Sequence, residues 1–177
     1  MTETVEQSLL DQALVEEAVK KSGLLWVRAA GGRAPQALWH AWVDGAVCVV
    51  GGGPGEQPLG GLTDGGTADV TVRSKDKWGR LVAFPTTVRE LAPGGEPWTA
   101  AVAELKGKRL NAPDAETMTE RWARECQVLR LEPAGPSVER PGAMSAVSGA
   151  ATPVPTDATT RQPVPAGLPK LLFRRKR

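Results

Sequence analysis

The stretch QALWHAWVDGAVCVV, residues 36–50, constrains the fold more than any other part of the chain. Two short apolar runs, 36–43 and 46–50, are separated only by Asp44 and Gly45. A two-residue Asp-Gly connection between such runs is a strong local signal for a β-hairpin, because both residues tolerate the positive φ of a tight turn. The chain is therefore predicted to contain antiparallel β-structure.

Further short apolar runs are separated from one another by turn-forming segments. They span 24–30, 68–74, 80–91 and 126–133. The run 68–74 alternates apolar and polar residues, which is typical of a half-buried strand. Pro85 cannot donate a hydrogen bond to a neighbouring strand, so an edge or a bulge is expected there. The glycine-rich stretch 51–66 is predicted to be a long loop, and such loops in compact domains are usually functional or disordered.

Three segments have helical patterns. The first precedes Ser22-Gly23 and has an apolar face surrounded by charges. The second, 96–108, has a proline near its start, and the third, 113–125, has Asp114 as its expected N-cap. The order is thus helix, five strands, two helices and a closing strand. This order predicts a mainly β fold that closes into a small antiparallel barrel, since closure removes exposed strand edges.

The C-terminal part of the chain has a different composition. Residues 133–169 hold eight of the fifteen prolines and no aromatic residue, so a disordered linker is predicted. Residues 170–177, KLLFRRKR, hold five cations, which leaves 17 cations against 20 acids in the rest of the chain. The predicted organisation is therefore a domain at 1–132, a linker at 133–169 and a basic tail at 170–177. The acidic body argues against a globally basic nucleic-acid binder.

The ends of the chain and its cysteines bear on the predicted compartment. The N-terminus lacks the apolar core of a signal peptide, and no stretch reaches the roughly 18 apolar residues of a membrane span. Cys48 and Cys126 are expected to be free thiols, since two isolated cysteines form no disulfide framework. A cytoplasmic protein without a transmembrane segment is predicted.

Four stretches, GLLWVRAA, PQALWHAWVDGAVCVV, DVTVRSKDKWGRLVAFPTTV and WARECQVLRLEP, occur in this order within about residues 5–132. In this order they resemble the pyridoxamine 5′-phosphate oxidase-like, FMN-binding split-barrel family. The resemblance implies a six-stranded antiparallel split β-barrel with an N-terminal helix and two helices before the last strand. It also implies a homodimer that binds a flavin, FMN or a deazaflavin, at the subunit interface and acts as an oxidoreductase.

The resemblance also implies where the cofactor phosphate binds. The family meets this phosphate with basic and hydroxyl side chains, and GRLV matches its Arg-x-Val pattern. The stretch GGGPGEQPLGG after the third strand contains no Lys, Arg, Ser or Thr. The backbone N–H groups of Gly51–Gly55 are an alternative anion site. The candidate cofactor-binding residues are Arg73, Ser74, Lys75, Lys77, Trp78, Arg80 and His40.

The hairpin sequence VRSKDKWGR has more than one interpretation. A phosphate binds best to converging guanidinium, ammonium and hydroxyl groups, and this hairpin offers all three. Arg73, Lys75 and Lys77 also have the spacing of one strand face, so a solvated tip that prevents edge pairing is an alternative. Contact with a single-stranded nucleic acid is a third interpretation.

His40 is the only histidine of the chain, and it shares a strand face with Leu38 and Trp42. It could lie over a flavin ring, ligate a haem iron, or serve as a structural residue of the core. A single histidine without a second group of ligands does not predict a zinc site.

A second hypothesis for the function has no cofactor. In it, the protein is a non-catalytic dimeric split-barrel scaffold whose tail 170–177 binds an anionic surface, a nucleic acid or a protein partner. The missing phosphate-loop side chains favour this hypothesis, whereas the strand order favours the oxidoreductase. The two stay open at the level of the sequence.

Overall fold

The computed structural model describes residues 2–32, 34–77 and 79–144, and it describes the side chains from residue 8 onward. The described residues form three helices and seven strands. These are α1 (Thr2–Lys21), β1 (Leu25–Ala29), β2 (Gln36–Leu38), β3 (Ala41–Val43), β4 (Ala46–Gly51), β5 (Thr67–Arg73), β6 (Arg80–Glu90), α2 (Glu96–Lys108), α3 (Met118–Glu125) and β7 (Gln127–Pro133).

The strands form one antiparallel sheet in the order β2-β1-β5-β6-β7-β4-β3. The two outermost strands, β2 and β3, follow each other directly in the chain, so the sheet curls until its edges meet at one chain segment. The predicted mainly β split barrel with peripheral helices is confirmed. The predicted hairpin is also confirmed, because Asp44 (φ 45°) and Gly45 (φ 79°) connect the paired residues Val43 and Ala46.

The strand count is seven rather than the predicted six, because the run 36–43 is broken at Trp39 and His40. The side chain of Gln57 replaces a strand partner at this break. Its amide oxygen accepts from the Trp39 N–H at 2.9 Å, and its amide nitrogen donates to the Trp39 carbonyl at 2.9 Å. The same nitrogen lies 3.1 Å from the Val50 carbonyl, which ties the break to β4.

The core has two parts, and β4 contributes to both. Val47 and Val49 point into the barrel, where Val15 and Val19 of α1 join them. Cys48 and Val50 point outward, where α2 and α3 cover them. Every residue of β4 is buried, because one face of the strand meets the barrel interior and the other meets the helices.

Pro85 lies in the regular part of β6, opposite Asp69, so the expected bulge is not at the proline. The register shift lies at Leu81, between the pairs of β5 and β6 that flank it. The Pro85 carbonyl accepts from the Ala134 N–H at 2.9 Å, beyond the point where β7 pairs with β6. The missing proline N–H faces this same side, so it removes no hydrogen bond between strands.

The third helix begins later than predicted, at Met118, with Thr117 as its N-cap. Asp114 is not the N-cap residue. Its carboxylate binds Arg121 at 2.5 Å instead, so the turn 114–117 is held from within the helix. The guanidinium of Arg121 lowers the pKa of the Asp114 carboxyl below its ordinary value.

The folded unit extends past the predicted boundary at 132 to Met144. Glu139 pairs with Ala83 of β6, and the Val138 N–H donates to the Ala83 carbonyl at 2.8 Å. Backbone hydrogen bonds to β6 therefore order residues that composition alone assigns to the linker. The remainder of the predicted linker, 145–169, and the tail 170–177 lie outside the described residues. No helix of the described part is long and apolar enough to cross a membrane.

Candidate functional site

The predicted cationic hairpin is the loop between β5 and β6. Its ends are joined by the Ser74 N–H, which donates to the Gly79 carbonyl at 2.7 Å, and the Ser74 hydroxyl accepts from the Lys77 N–H at 3.3 Å. Lys75 and Lys77 are exposed. Trp78 lies outside the described residues.

The two arginines of this hairpin point to different partners. Arg73 is exposed and lies over the Trp26 ring, with its guanidinium carbon 5.0 Å from the ring centroid. Arg80 is half-buried and binds Glu139 at 2.5 Å. Two cavities, one at the end of α2 and one beside α1, are lined by neither arginine and by none of Ser74, Lys75 and Lys77. Within one described chain these groups do not converge, and their role in cofactor binding stays a prediction.

The glycine run 51–55 is packed against the protein itself. A Cβ atom at Gly53 would lie 2.4 Å from the Glu125 carbonyl oxygen, and one at Gly51 would lie 2.3 Å from the Gln57 carbonyl oxygen. The Gly52 N–H already donates to Gln57 at 3.0 Å. Gly51 and Gly53 thus serve close backbone packing, and the Gly52 N–H is not free for an anion. The anion site expected in this loop stays a prediction.

Glu56 follows this run, and its side chain has no solvent exposure. One carboxylate oxygen accepts from Arg109 Nε at 3.1 Å. The other accepts from Arg121 Nη2 at 2.9 Å and from Trp122 Nε1 at 3.0 Å. Three donors thus satisfy one buried carboxylate, which is the condition for tolerating its charge in the core.

The same two arginines also hold the backbone of the loop. Arg109 Nη2 donates to the Gly55 carbonyl at 2.9 Å, and Arg121 Nη1 donates to the Pro54 carbonyl at 2.9 Å. We call Glu56, Arg109, Arg121 and Trp122 the Glu56 cluster. Sequence patterns do not reveal it, because Glu56 lies more than fifty residues before Arg109, Arg121 and Trp122. The only local signal is a single acid, Glu56, in the otherwise uncharged stretch 51–63.

A cleft of about 470 Å³ opens beside the break between β2 and β3. We call it the His40 cleft. The end of α1, the strand break and the end of α2 line it through Ser22, Gly23, Leu24, Trp39, His40, Lys108, Arg109 and Leu110.

His40 is 2% exposed, and its Nε2 lies 3.0 Å from the Val19 carbonyl oxygen. Because a carbonyl only accepts hydrogen bonds, Nε2 carries the proton and Nδ1 keeps a lone pair. Nδ1 has no hydrogen-bond partner among the residues that the structure describes. Burial lowers the pKa of His40 to about 4, and nearby Lys108 contributes to this shift. The imidazole is therefore neutral at pH 7.

The cleft combines apolar walls with positive charge. Leu24 and Leu110 form exposed apolar parts of its rim, and Trp39 packs on Trp122 with ring centroids 6.3 Å apart. Lys108 and Arg109 supply the charge, and no acidic residue lines the cleft. Arg109 also belongs to the Glu56 cluster, so the cluster supports one wall of the cleft.

Neither cysteine is a reactive thiol. Burial raises the pKa of Cys48 to about 11, and burial also raises the pKa of Cys126. Both are free thiols and are protonated at neutral pH. Among residues 8–32, 34–77 and 79–144, no three His, Cys, Asp or Glu side chains are grouped so as to hold a metal ion.

Comparisons with known proteins bear on the fold. No family model and no curated protein matches the chain. The conserved hypothetical protein Rv2991 from Mycobacterium tuberculosis is similar in structure, with 13% identity, a TM-score of 0.52, and coverage of 70% of this chain and 80% of that chain.

Two further solved structures are similar. The heme storage protein HutZ from Vibrio cholerae has 14% identity and a TM-score of 0.49, over 70% of this chain and 89% of that one. A general stress protein 26 from Jannaschia sp. CCS1 has 14% identity and a TM-score of 0.44, over 76% of each chain. At such identities, structural likeness shows the fold alone. Together with the curled antiparallel sheet, it supports a split-barrel protein.

Proposed function

We propose that this split-barrel protein binds a flavin-type cofactor, FMN or a deazaflavin, in the His40 cleft and acts as an oxidoreductase. The observation that carries the proposal is the combination of an apolar, Trp39-lined wall with the two cations Lys108 and Arg109 in one cleft. A flavin needs a flat apolar surface for its ring system and cations for its phosphate.

Each part of the cleft has a distinct task in this proposal. Trp39 and the leucines cover the ring, and the neutral His40 excludes water without adding charge. Lys108 makes no ion pair with any described residue, so its ammonium group can bind the phosphate, while Arg109 stays engaged with Glu56. The cofactor, when bound, supplies the hydride chemistry, and the protein binds and orients it.

A homodimer is part of the proposal. Lys75 and Lys77 are exposed and can approach a cofactor only if the corresponding surface of a second copy faces them. The hairpin residues Arg73, Ser74, Lys75, Lys77 and Arg80 therefore remain the rival phosphate site, and one experiment separates the two locations.

The experiment is an absorbance and fluorescence titration of the full chain with FMN and with a deazaflavin. We expect Lys108→Ala to weaken binding about 10-fold or more, because a hydrogen bond to a charged group contributes about 1.5–3 kcal/mol. The double variant Lys75→Ala/Lys77→Ala is the matched control and should bind within about 2-fold of the unchanged chain. The reverse pattern would place the phosphate on the hairpin, and no binding of either cofactor would reject the proposed function.

The packed glycine run favours a second candidate function, the non-catalytic scaffold. The Gly52 N–H of this loop already donates to the Gln57 carbonyl and is not available to a phosphate, and the Glu56 cluster holds the carbonyls of Pro54 and Gly55. In this case the tail 170–177 carries the function by binding an anionic surface, with about 1 kcal/mol from each of its cations.

Truncated chains test this second candidate. A chain that ends at Met144 should lose at least about 10-fold in affinity for anionic vesicles relative to the full chain, and neither should bind neutral vesicles. Equal vesicle binding by the full chain and the Met144 chain would reject the scaffold function.

A chain that ends at Pro133 should also melt several degrees lower than the one ending at Met144, since it loses the Arg80–Glu139 pair and backbone bonds to β6.

A further inference from the structure

A second cavity, of about 260 Å³, lies where α1 packs against the barrel. We call it the α1 cavity. Its apolar walls come from Val15 of α1, Trp42 of β3, Phe84 of β6 and Pro133 of β7. Two acidic residues of α1, Asp11 and Glu16, also line it. It shares no lining residue with the His40 cleft.

Asp11 is the polar group of this cavity that lacks a full set of partners. Its Oδ2 accepts from the Ser137 N–H at 2.8 Å. Its Oδ1 is buried and has no hydrogen-bond donor in the described part of the chain, and the Ser137 hydroxyl is in the same state. A carboxylate oxygen that is cut off from water costs free energy unless a donor meets it. Because Asp11 lines the cavity, a donor held there lies beside this carboxylate.

The charge around the cavity is negative and uncompensated at Asp11. Glu16 is paired with Lys20 at 2.5 Å on the helix surface, so its charge is already matched. No Lys, Arg or His lines the cavity. A metal ion is not indicated either, because metal-ligating side chains are not grouped in threes anywhere in the described ranges. An organic ammonium group would supply both the missing donor and the opposite charge.

We propose that the α1 cavity binds a small organic ammonium ion carried on an apolar stem. The ammonium group donates to Asp11 Oδ1, and the stem packs against Val15, Trp42 and Phe84. An ammonium group is also attracted to the face of an indole such as Trp42. The cavity is smaller than the roughly 300–1,000 Å³ of pockets for drug-sized ligands, so a single aromatic or branched stem suits its size.

Calorimetric titration of the full chain tests this site with three probes of similar shape. These are 2-phenylethylamine, its neutral analogue 2-phenylethanol and the anion phenylacetate. We expect the amine to bind at least 10-fold more tightly than the alcohol, and the acid not to bind, since only the amine offers a charged donor to Asp11. Equal binding of amine and alcohol, or no binding of the amine, would overturn the site.

Two variants locate the amine. Asp11→Asn keeps the shape and removes the charge, and it should weaken amine binding at least 10-fold while leaving the alcohol unchanged. Glu16→Gln is the matched control on the same helix face, and it should change amine binding less than about 2-fold, because Glu16 already has Lys20. Equal losses of amine affinity in both variants would mean that the charge of the whole helix surface attracts the amine. This result would reject the site. The probe comparison on the unchanged chain decides the outcome even if Asp11→Asn folds poorly.

Discussion

Glu56→Gln is expected to lower the free energy of unfolding by about 3–5 kcal/mol, the usual cost of removing one partner of a buried ion pair. The carboxylate has no solvent exposure and accepts from Arg109, Arg121 and the Trp122 indole. The amide keeps the shape but removes the charge, and its NH₂ group faces a donor instead of accepting from one. Urea denaturation, followed by tryptophan fluorescence, measures the loss as a lower midpoint.

Glu120→Gln is the matched control for this prediction. Its side chain is 72% exposed, and its nearest contact with Arg124 is 4.0 Å. Exposed pairs of this kind contribute little, so the free energy of unfolding should change by less than about 1 kcal/mol. A loss of under 1 kcal/mol in Glu56→Gln as well would mean that the cluster does not carry the stability assigned to it.

The destabilisation by Glu56→Gln should also be concentrated in one region, because the Glu56 cluster joins the glycine-rich loop to the end of α2 and to α3. Arg109 and Arg121 bind the carbonyls of Gly55 and Pro54, and Trp122 packs on Trp39 of the His40 cleft. In native-state hydrogen exchange, the amides of Gly52 and Glu56 should lose protection first in the variant. Unchanged exchange in this loop would contradict the assigned contacts.

The fold follows from local chemistry to a large extent. Asp44 and Gly45 adopt positive φ in a two-residue turn, and their chemistry alone predicts that hairpin. The alternating run 68–74 becomes β5, and the apolar run 46–50 becomes β4 with both faces buried. In these segments the period of the apolar residues and the turn residues indicate the same structure, so tertiary contacts reinforce the local preference.

The parts that sequence reasoning missed depend on contacts between distant residues. The break at Trp39 and His40 is held by Gln57, whose amide has no sequence signature as a strand partner. Likewise, Arg80 forms an ion pair with Glu139, which lies in a stretch whose composition predicts a linker. The sequence predicts that the cations lie in a hairpin. The direction of each side chain, however, depends on partners that lie far away in the chain.

The position of His40 in the core leads to the second large prediction, a loss of stability in acid. The ordinary pKa of 6.5 falls to about 4 in the folded protein, chiefly because burial disfavours the charged imidazole. The folded state therefore binds fewer protons than the unfolded state between these values. At pH 7 and above there is no penalty, because the imidazole is neutral in the folded and the unfolded state. The penalty grows as pH falls from about 6.5 to 4 and reaches about 3 kcal/mol.

 Stability is therefore highest above about pH 6.5, where the imidazole is neutral in both states. It declines at lower pH, because His40 of the unfolded chain becomes protonated.

His40→Asn isolates this contribution from the carboxylates, which titrate in the same range. The asparagine amide can still donate to the Val19 carbonyl but does not ionise, so residue 40 of the variant makes no pH-dependent contribution to stability. Urea midpoints at pH 7 and pH 4.5 should therefore differ more in the unchanged chain than in the variant, by about 2 kcal/mol after conversion to free energy. An equal pH dependence in both chains would mean that His40 is protonated as readily in the folded state as in the unfolded state. Burial beside Val19 and Lys108 would then not hold the imidazole neutral.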